Sequence, residues 1–307
     1  MVSEIGGMNG GHAAITKRPA SWHRLFAWCV RGLPVVLGNL LLLMPGPAWI
    51  LSAGADLLLI PAAEAMGNGP GGPVWIDARE IGGFRVFCRF PADRIAPLLG
   101  DLEGLSRDIA AYLGLETSPR AVDVYLFADA REYGEHINRA FPEVPYRRAL
   151  YVQRGDRAMV AAYLSPELAV DLRHECTHAL LHAALPMVPL WLDEGLAEYF
   201  EVEPLERSGR SRYLAAARWR CRFGYVPSME RLEGLRSMAS MTESDYRNAW
   251  SWVHFMLHGP SAARDVLVDY LTTIRQGGIP GSLRERLAAR IPDLHSAYKR
   301  HFLDWER

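Results

Sequence analysis

His174-Glu175-Cys176-Thr177-His178 sets two imidazoles four positions apart, with a carboxylate between them. Positions i and i+4 lie one turn apart on the same helix face. Two imidazole nitrogens spaced this way can converge on one zinc ion at ~2.0–2.1 Å. Glu175 sits next to the first histidine, beside an open coordination position, where a carboxylate can take a proton from water. The plain alternative is a helix carrying two surface or core histidines. Cys176, two residues after His174, points away from such a metal and reads as a small core residue.

A catalytic zinc site needs three protein ligands and an open fourth position. His182 continues the row, but eight residues rise ~12 Å along a helix, so His174 and His182 cannot share one ion without unwinding. His182 is expected to be structural or to back a ligand. The extension that places Gly and then His after the second histidine fails, because those positions are Leu181 and Ala184. Downstream, LWLDEGLAEYFE occupies 190–201, and Pro186 and Pro189 mark a turn that would fold it back on the first helix.

Here the sequence resembles the gluzincin metallopeptidases, the peptidase-MA-like H-E-x-x-H…Glu superfamily, and is nearest its aminopeptidase-N-like branch at motif level. The resemblance covers roughly 120–275. It implies a zincin-like catalytic domain, with Zn2+ held by His174, His178 and Glu194 and with Glu175 as general base. Glu198 falls where thermolysin-like relatives keep an acid that supports a ligand histidine; the alternative is a solvated helix residue. Tyr246, in YRNAWSWVHFML, resembles the family's Tyr-x-x-Gly/Ala helix, whose tyrosine stabilises an oxyanion. Ala249 stands at its fourth position, and the alternative is that Tyr246 only packs. His254, two turns on, either shares that role or sits in the core. The G-x-M-E-N exopeptidase signature is absent. The strand Ala158–Leu164 occupies the place where relatives keep the edge strand that pairs with an extended peptide.

The elements that must position these residues are of two kinds. Phe84–Phe90, Ala121–Phe127, Arg148–Gln153 and Ala158–Leu164 read as strands, the last two joined by a turn at Arg154-Gly155-Asp156. Ala92–Leu115 and Ala130–Phe141 read as helices. Beyond Ser165 the pattern is mostly helical: Pro166–Ala184, Leu190–Glu203, Arg212–Phe223, Ser244–His258, Ala262–Gln276 and Leu283–Arg290. The expected fold class is α+β, a small mixed sheet with helices followed by a mainly helical half.

Of 307 residues, 50% are hydrophobic, enough for a real core. The net charge of −1, from 34 Lys+Arg against 35 Asp+Glu, argues against a nucleic-acid partner. Four cysteines are too few for a disulfide scaffold, and none is expected to be obligatorily paired. An arginine group at 207, 210, 212, 218, 220 and 222 either lines a binding surface or is a solvated face. From Leu33 to Ala55 there is no charge, a run of membrane-spanning length broken by Pro34, Pro45 and Pro47. Ala63-Glu64-Ala65 fits a cleavage site, and 66–73 is Gly-rich. The expected organisation is a targeting or membrane-anchor segment over 1–65, a linker over 66–73, and a catalytic domain over 74–307, divided at 165. Such a protein would be membrane-anchored or exported, with the catalytic part outside the cytoplasm. The expected activity is zinc-dependent hydrolysis of a peptide or protein substrate. The alternatives are a metal-binding, membrane-tethered module without peptidase activity, or a zinc hydrolase of a non-peptide amide or ester.

Overall fold

The computed structural model describes residues 74–116, 121–155, 157–209 and 211–305. The expected segments 1–65 and 66–73 lie outside them. Among the described residues, no helix is long and apolar enough to cross a membrane.

The fold is α+β. Five strands form a mixed sheet in the order β1-β2-β3-β5-β4: β1 (Asp77–Ile81), β2 (Phe84–Cys88), β3 (Val122–Phe127), β4 (Ala149–Arg154) and β5 (Arg157–Tyr163). β2, β3 and β5 run parallel, and β1 and β4 flank them antiparallel. The parallel centre is rich in buried apolar residues (Val122, Val124, Leu126, Val160 and Ala162), as expected for strands covered on both faces. One face packs on α2 (Ala130–Ala140) through Phe127, Tyr133 and Ile137. The other belongs to the main core, with α1 (Ala96–Leu113) and the helices that follow β5.

The edge strand is β4, not β5. β5 is paired on both sides, so the expectation that Ala158–Leu164 offers an open edge is corrected. β5 pairs back along β4 from Arg154 and Arg157 onward, which leaves β4 as the last strand.

The helical half comprises α3 (Leu168–Ala184), α4 (Leu190–Phe200), α5 (Leu214–Arg222), α6 (Met229–Glu233), α7 (Glu243–His258), α8 (Ser261–Arg275), α9 (Leu283–Arg290) and α10 (Leu294–Leu303). Every residue from Trp191 to Phe200 is buried, so α4 is a central helix packed on all sides. α7 starts at a capping box between Thr242 and Asp245, the latter also paired with Arg231. It crosses α4 closely: a Cβ on Gly195 would sit 2.9 Å from the backbone of Ala249. A glycine facing an alanine therefore sets the helix separation and holds α7, with Tyr246, against the helix that carries Glu194.

Candidate metal centre

α3 and α4 bring together the three expected donors. Nε2 of His174 and Nε2 of His178 lie 3.2 Å apart. The Glu194 carboxylate stands 3.8 Å from the first and 3.7 Å from the second. Zinc ligands at ~2.0–2.1 Å in tetrahedral geometry would lie about 3.3–3.4 Å from one another. The triangle thus has the dimensions of one face of such a polyhedron, and all three residues are buried.

The outer nitrogens explain why the inner ones are donors. Nδ1 of His174 lies 3.0 Å from Oε2 of Glu201. Nδ1 of His178 lies 3.0 Å from Oδ1 of Asp193, though off hydrogen-bond alignment. A carboxylate at Nδ1 holds the proton there and leaves a lone pair on Nε2. Two lone pairs and a carboxylate then face one point. Oε2 of Glu194 is buried without a hydrogen-bond partner. Such a donor set is electrostatically incomplete unless a cation or proton stands among it.

The ionisation tendencies have the same cause. Burial pushes Glu194 up to about 8, against the attraction of His178. Burial opposes a charge on His178, but Asp193 and Glu194 outweigh it and raise the ring to about 10. His174 is lowered, first by burial and then by the charge on His178. Burial likewise lifts Glu198 and Glu201 to about 7 each.

Glu201 meets Nδ1 of His174 at 3.0 Å, while Glu198 takes Arg212 at 2.6 Å and interacts electrostatically with His174. Arg173, one residue before His174, donates to the carbonyl of Glu201 and so locks the end of α4 beside α3. Glu194, Glu198 and Glu201 follow a helical i, i+4, i+7 spacing. That stripe was the available signal for Glu201.

Glu175 is buried on the same helix and accepts from the backbone N–H of Tyr151 on β4 at 2.9 Å. The Tyr151 ring lies parallel to His178 and tilted to His182. Tyr246 interacts electrostatically with Glu194, Glu198 and Arg147. Burial, then those carboxylates, raise its phenol, which stays a hydrogen-bond donor. His182 places Nε2 2.9 Å from Oδ2 of Asp193. His178, His182 and Asp193 form a second group of donors. In it Asp193 lies 3.0 Å from Nδ1 of His178 and 2.9 Å from Nε2 of His182.

His254 lies elsewhere, bonded to His301 and to the carbonyl of Ser208. Cys88, Cys176 and Cys221 are buried free thiols. The described arginines of the 207–222 group are largely tied: Arg207 to Asp108, Arg212 to Glu198, Arg218 to the carbonyl of Phe302 and Arg220 to Asn248. A groove lined by His258, Arg300, His301, Asp304 and Trp305 shares no residue with the metal centre.

Sequence reasoning passed over Asp193, Arg147 and Tyr151. Asp193 adjoins Glu194 in the quoted motif. Tyr151 sits on β4 and Arg147 just before it, and the pairing of β4 with β5 is what the sequence does not display.

No family model matches the chain, and no curated protein matches it. Among solved structures it is similar to an M1 zinc metallopeptidase from Deinococcus radiodurans, at 20% identity and TM-score 0.43, over 75% of this chain and 51% of that one. It is similar to a point mutant of that enzyme at 18% identity and TM-score 0.42, over 75% and 51%. The mutant bound to a Tyr-Ser-Ala substrate aligns at 19% identity and TM-score 0.41, over the same shares. The chain spans about half the length of these solved proteins.

Proposed function

We propose that this chain is a zinc-dependent metallopeptidase. The observation that carries the reading is the triangle of His174, His178 and Glu194 donors, with Glu175 one residue from the first. These three residues would hold Zn2+. Bound there, zinc would acidify a water and polarise the scissile carbonyl. Glu175 takes the proton of the attacking water and returns it to the leaving amine. The Tyr151 N–H fixes the carboxylate of Glu175 while it waits. Tyr246 donates its phenolic proton to the carbonyl oxygen as charge develops there.

The edge strand supplies the bed for an extended substrate. The N–H of Tyr151 points outward, away from β5 and toward Glu175. Strand alternation then turns the backbone groups of Ala149 and Gln153 outward as well, where a peptide can pair by strand addition.

Glu175→Gln tests this reading. The variant should keep one zinc per chain and lose about 10²–10⁴-fold in peptide hydrolysis. Hydrolysis at the wild-type rate would refute the role of Glu175. Stoichiometric zinc with no cleavage by the wild type would move the reading to a metal-binding module or a hydrolase of another amide or ester. Tethering by 1–65, with the catalytic part outside the cytoplasm, belongs to the same proposal and is tested by membrane fractionation with and without that segment.

A further inference from the structure

Two arginines enter β4 side by side, and they differ. Arg148 is engaged on Asp171 by two bonds, Nε at 2.8 Å and Nη2 at 2.7 Å. Arg147 is 8% exposed, and its Nε has no hydrogen-bond partner. A buried guanidinium whose Nε has no partner is costly, because that donor has left water without replacement.

The surroundings say what the fork faces. Arg147 lies four residues before Tyr151, whose N–H meets Glu175, and it interacts electrostatically with Glu175, Tyr246 and Glu194. Tyr133 Oη, also buried without a partner, interacts with both Glu175 and Arg147. Glu175 is already held by Tyr151, and Glu194 faces the two histidines. Two orphaned donors, one of them cationic, therefore border the place where substrate would lie. A guanidinium fork matches the two oxygens of a carboxylate better than any other peptide group. The position fits too: Arg147 lies two residues before Ala149, the first residue of the edge strand that would pair with the peptide.

We propose that Arg147 is a substrate-binding residue that anchors a carboxylate carried by the peptide close to the scissile bond. The site then selects peptides with a free C-terminal carboxylate or an acidic side chain at that place. The same positive charge disfavours a free α-amine there. This rests on the peptidase reading, and the test separates the two.

The test measures equilibrium binding to zinc-loaded Glu175→Gln protein, which does not turn substrate over. The probes are acetyl-Ala-Phe-Ala as the free acid, the same tripeptide as its amide, and acetyl-Ala-Glu-Ala amide. At least one carboxylate-bearing probe should bind about tenfold or more tighter than the neutral amide. Preference for the free acid alone identifies the chain terminus as the source, and preference for the Glu peptide identifies the side chain. Adding Arg147→Gln should level the probes to within about twofold, and Arg147→Lys should leave an intermediate preference. The acid-to-amide comparison in protein that retains Arg147 does not depend on either variant folding. Equal binding of all three probes there overturns the inference, as does a preference that survives Arg147→Gln. If the wild type cleaves peptides but all three probes bind equally, the peptidase reading stands and this inference falls. If nothing is cleaved but the carboxylate preference depends on Arg147, the anchor stands and the peptidase reading falls.

Discussion

Two clusters of three histidines, each built around buried rings, differ in what surrounds them. His174, His178 and His182 are surrounded by Glu194, Glu201 and Asp193. His254, His258 and His301 are surrounded by Trp250, Phe302 and Trp305, with ring centroids of His254 at 4.9 Å from His258 and 5.0 Å from His301. Their hydrogen bonds go to one another, to the Ser208 carbonyl and to the hydroxyl of Tyr199. In the first cluster carboxylates raise His178 to about 10. In the second, burial lowers His254 to about 3 and His258 and His301 to about 4 each. Burial penalises a charged imidazole in both places; at His178 the carboxylates outweigh it, while His174 stays lowered. Carboxylates meet the rings of the first cluster, whereas the rings of the second bond one another and are held neutral by burial.

The largest expected effect breaks this contrast at its root. Glu194→Ala should abolish stoichiometric zinc in metal analysis after dialysis, whereas His254→Gln should leave the zinc content unchanged. Equal zinc loss in both variants would show that histidine clustering, not the carboxylate, makes the site.

A smaller effect belongs to the outer carboxylates. Glu201→Gln removes the anion that holds the His174 proton at Nδ1 and should weaken zinc about 10- to 100-fold in chelator competition. Glu198→Gln, whose carboxylate is bonded to Arg212, should weaken it less. If the two variants rank the other way, the assignment of the supporting acid is wrong.

The smallest effect is the pH response of the aromatic cluster. Its histidines have folded values below the unfolded one of about 6.5. The unfolded chain therefore binds more protons below pH 6.5. The contribution of these histidines is fully present above that pH and is lost as pH falls toward 4 and 3. Each group adds at most about 1.4 kcal/mol per pH unit. Thermal melts of metal-free protein should show a stability decline in that window, shallower in His254→Gln. An unchanged slope would mean that His254 is not held neutral in the folded protein.

Much of the site was readable because its chemistry is local in sequence. The H-E-x-x-H spacing and the Glu194 motif each occupy one helix, and helical geometry carries the argument from spacing to convergence. The supporting partners were less readable. Glu198 lies on α4 and Glu201 just past its end, where the bond from Arg173 to the Glu201 carbonyl sets it beside His174. Tyr151 meets Glu175 from a paired strand, which one sequence does not display, and Arg147 lies just before that strand. In the fold, buried strands and periodic helices were legible, as β3 and α8 illustrate. β1 was missed because its residues, DAREI, are mostly exposed and charged and lack apolar alternation. α10 was missed because it starts from Asp293 at φ 49, a conformation that sequence pattern does not signal. The edge strand was misjudged because the order of β4 and β5 depends on which of them pairs with β3.

The most direct test of the central claim is a crystal structure of the zinc-loaded protein with anomalous data at the zinc edge. The account predicts one peak bounded by Nε2 of His174, Nε2 of His178 and the carboxylate of Glu194, with both nitrogens at ~2.0–2.1 Å. A peak among His178, His182 and Asp193, or in the His254 cluster, would contradict it.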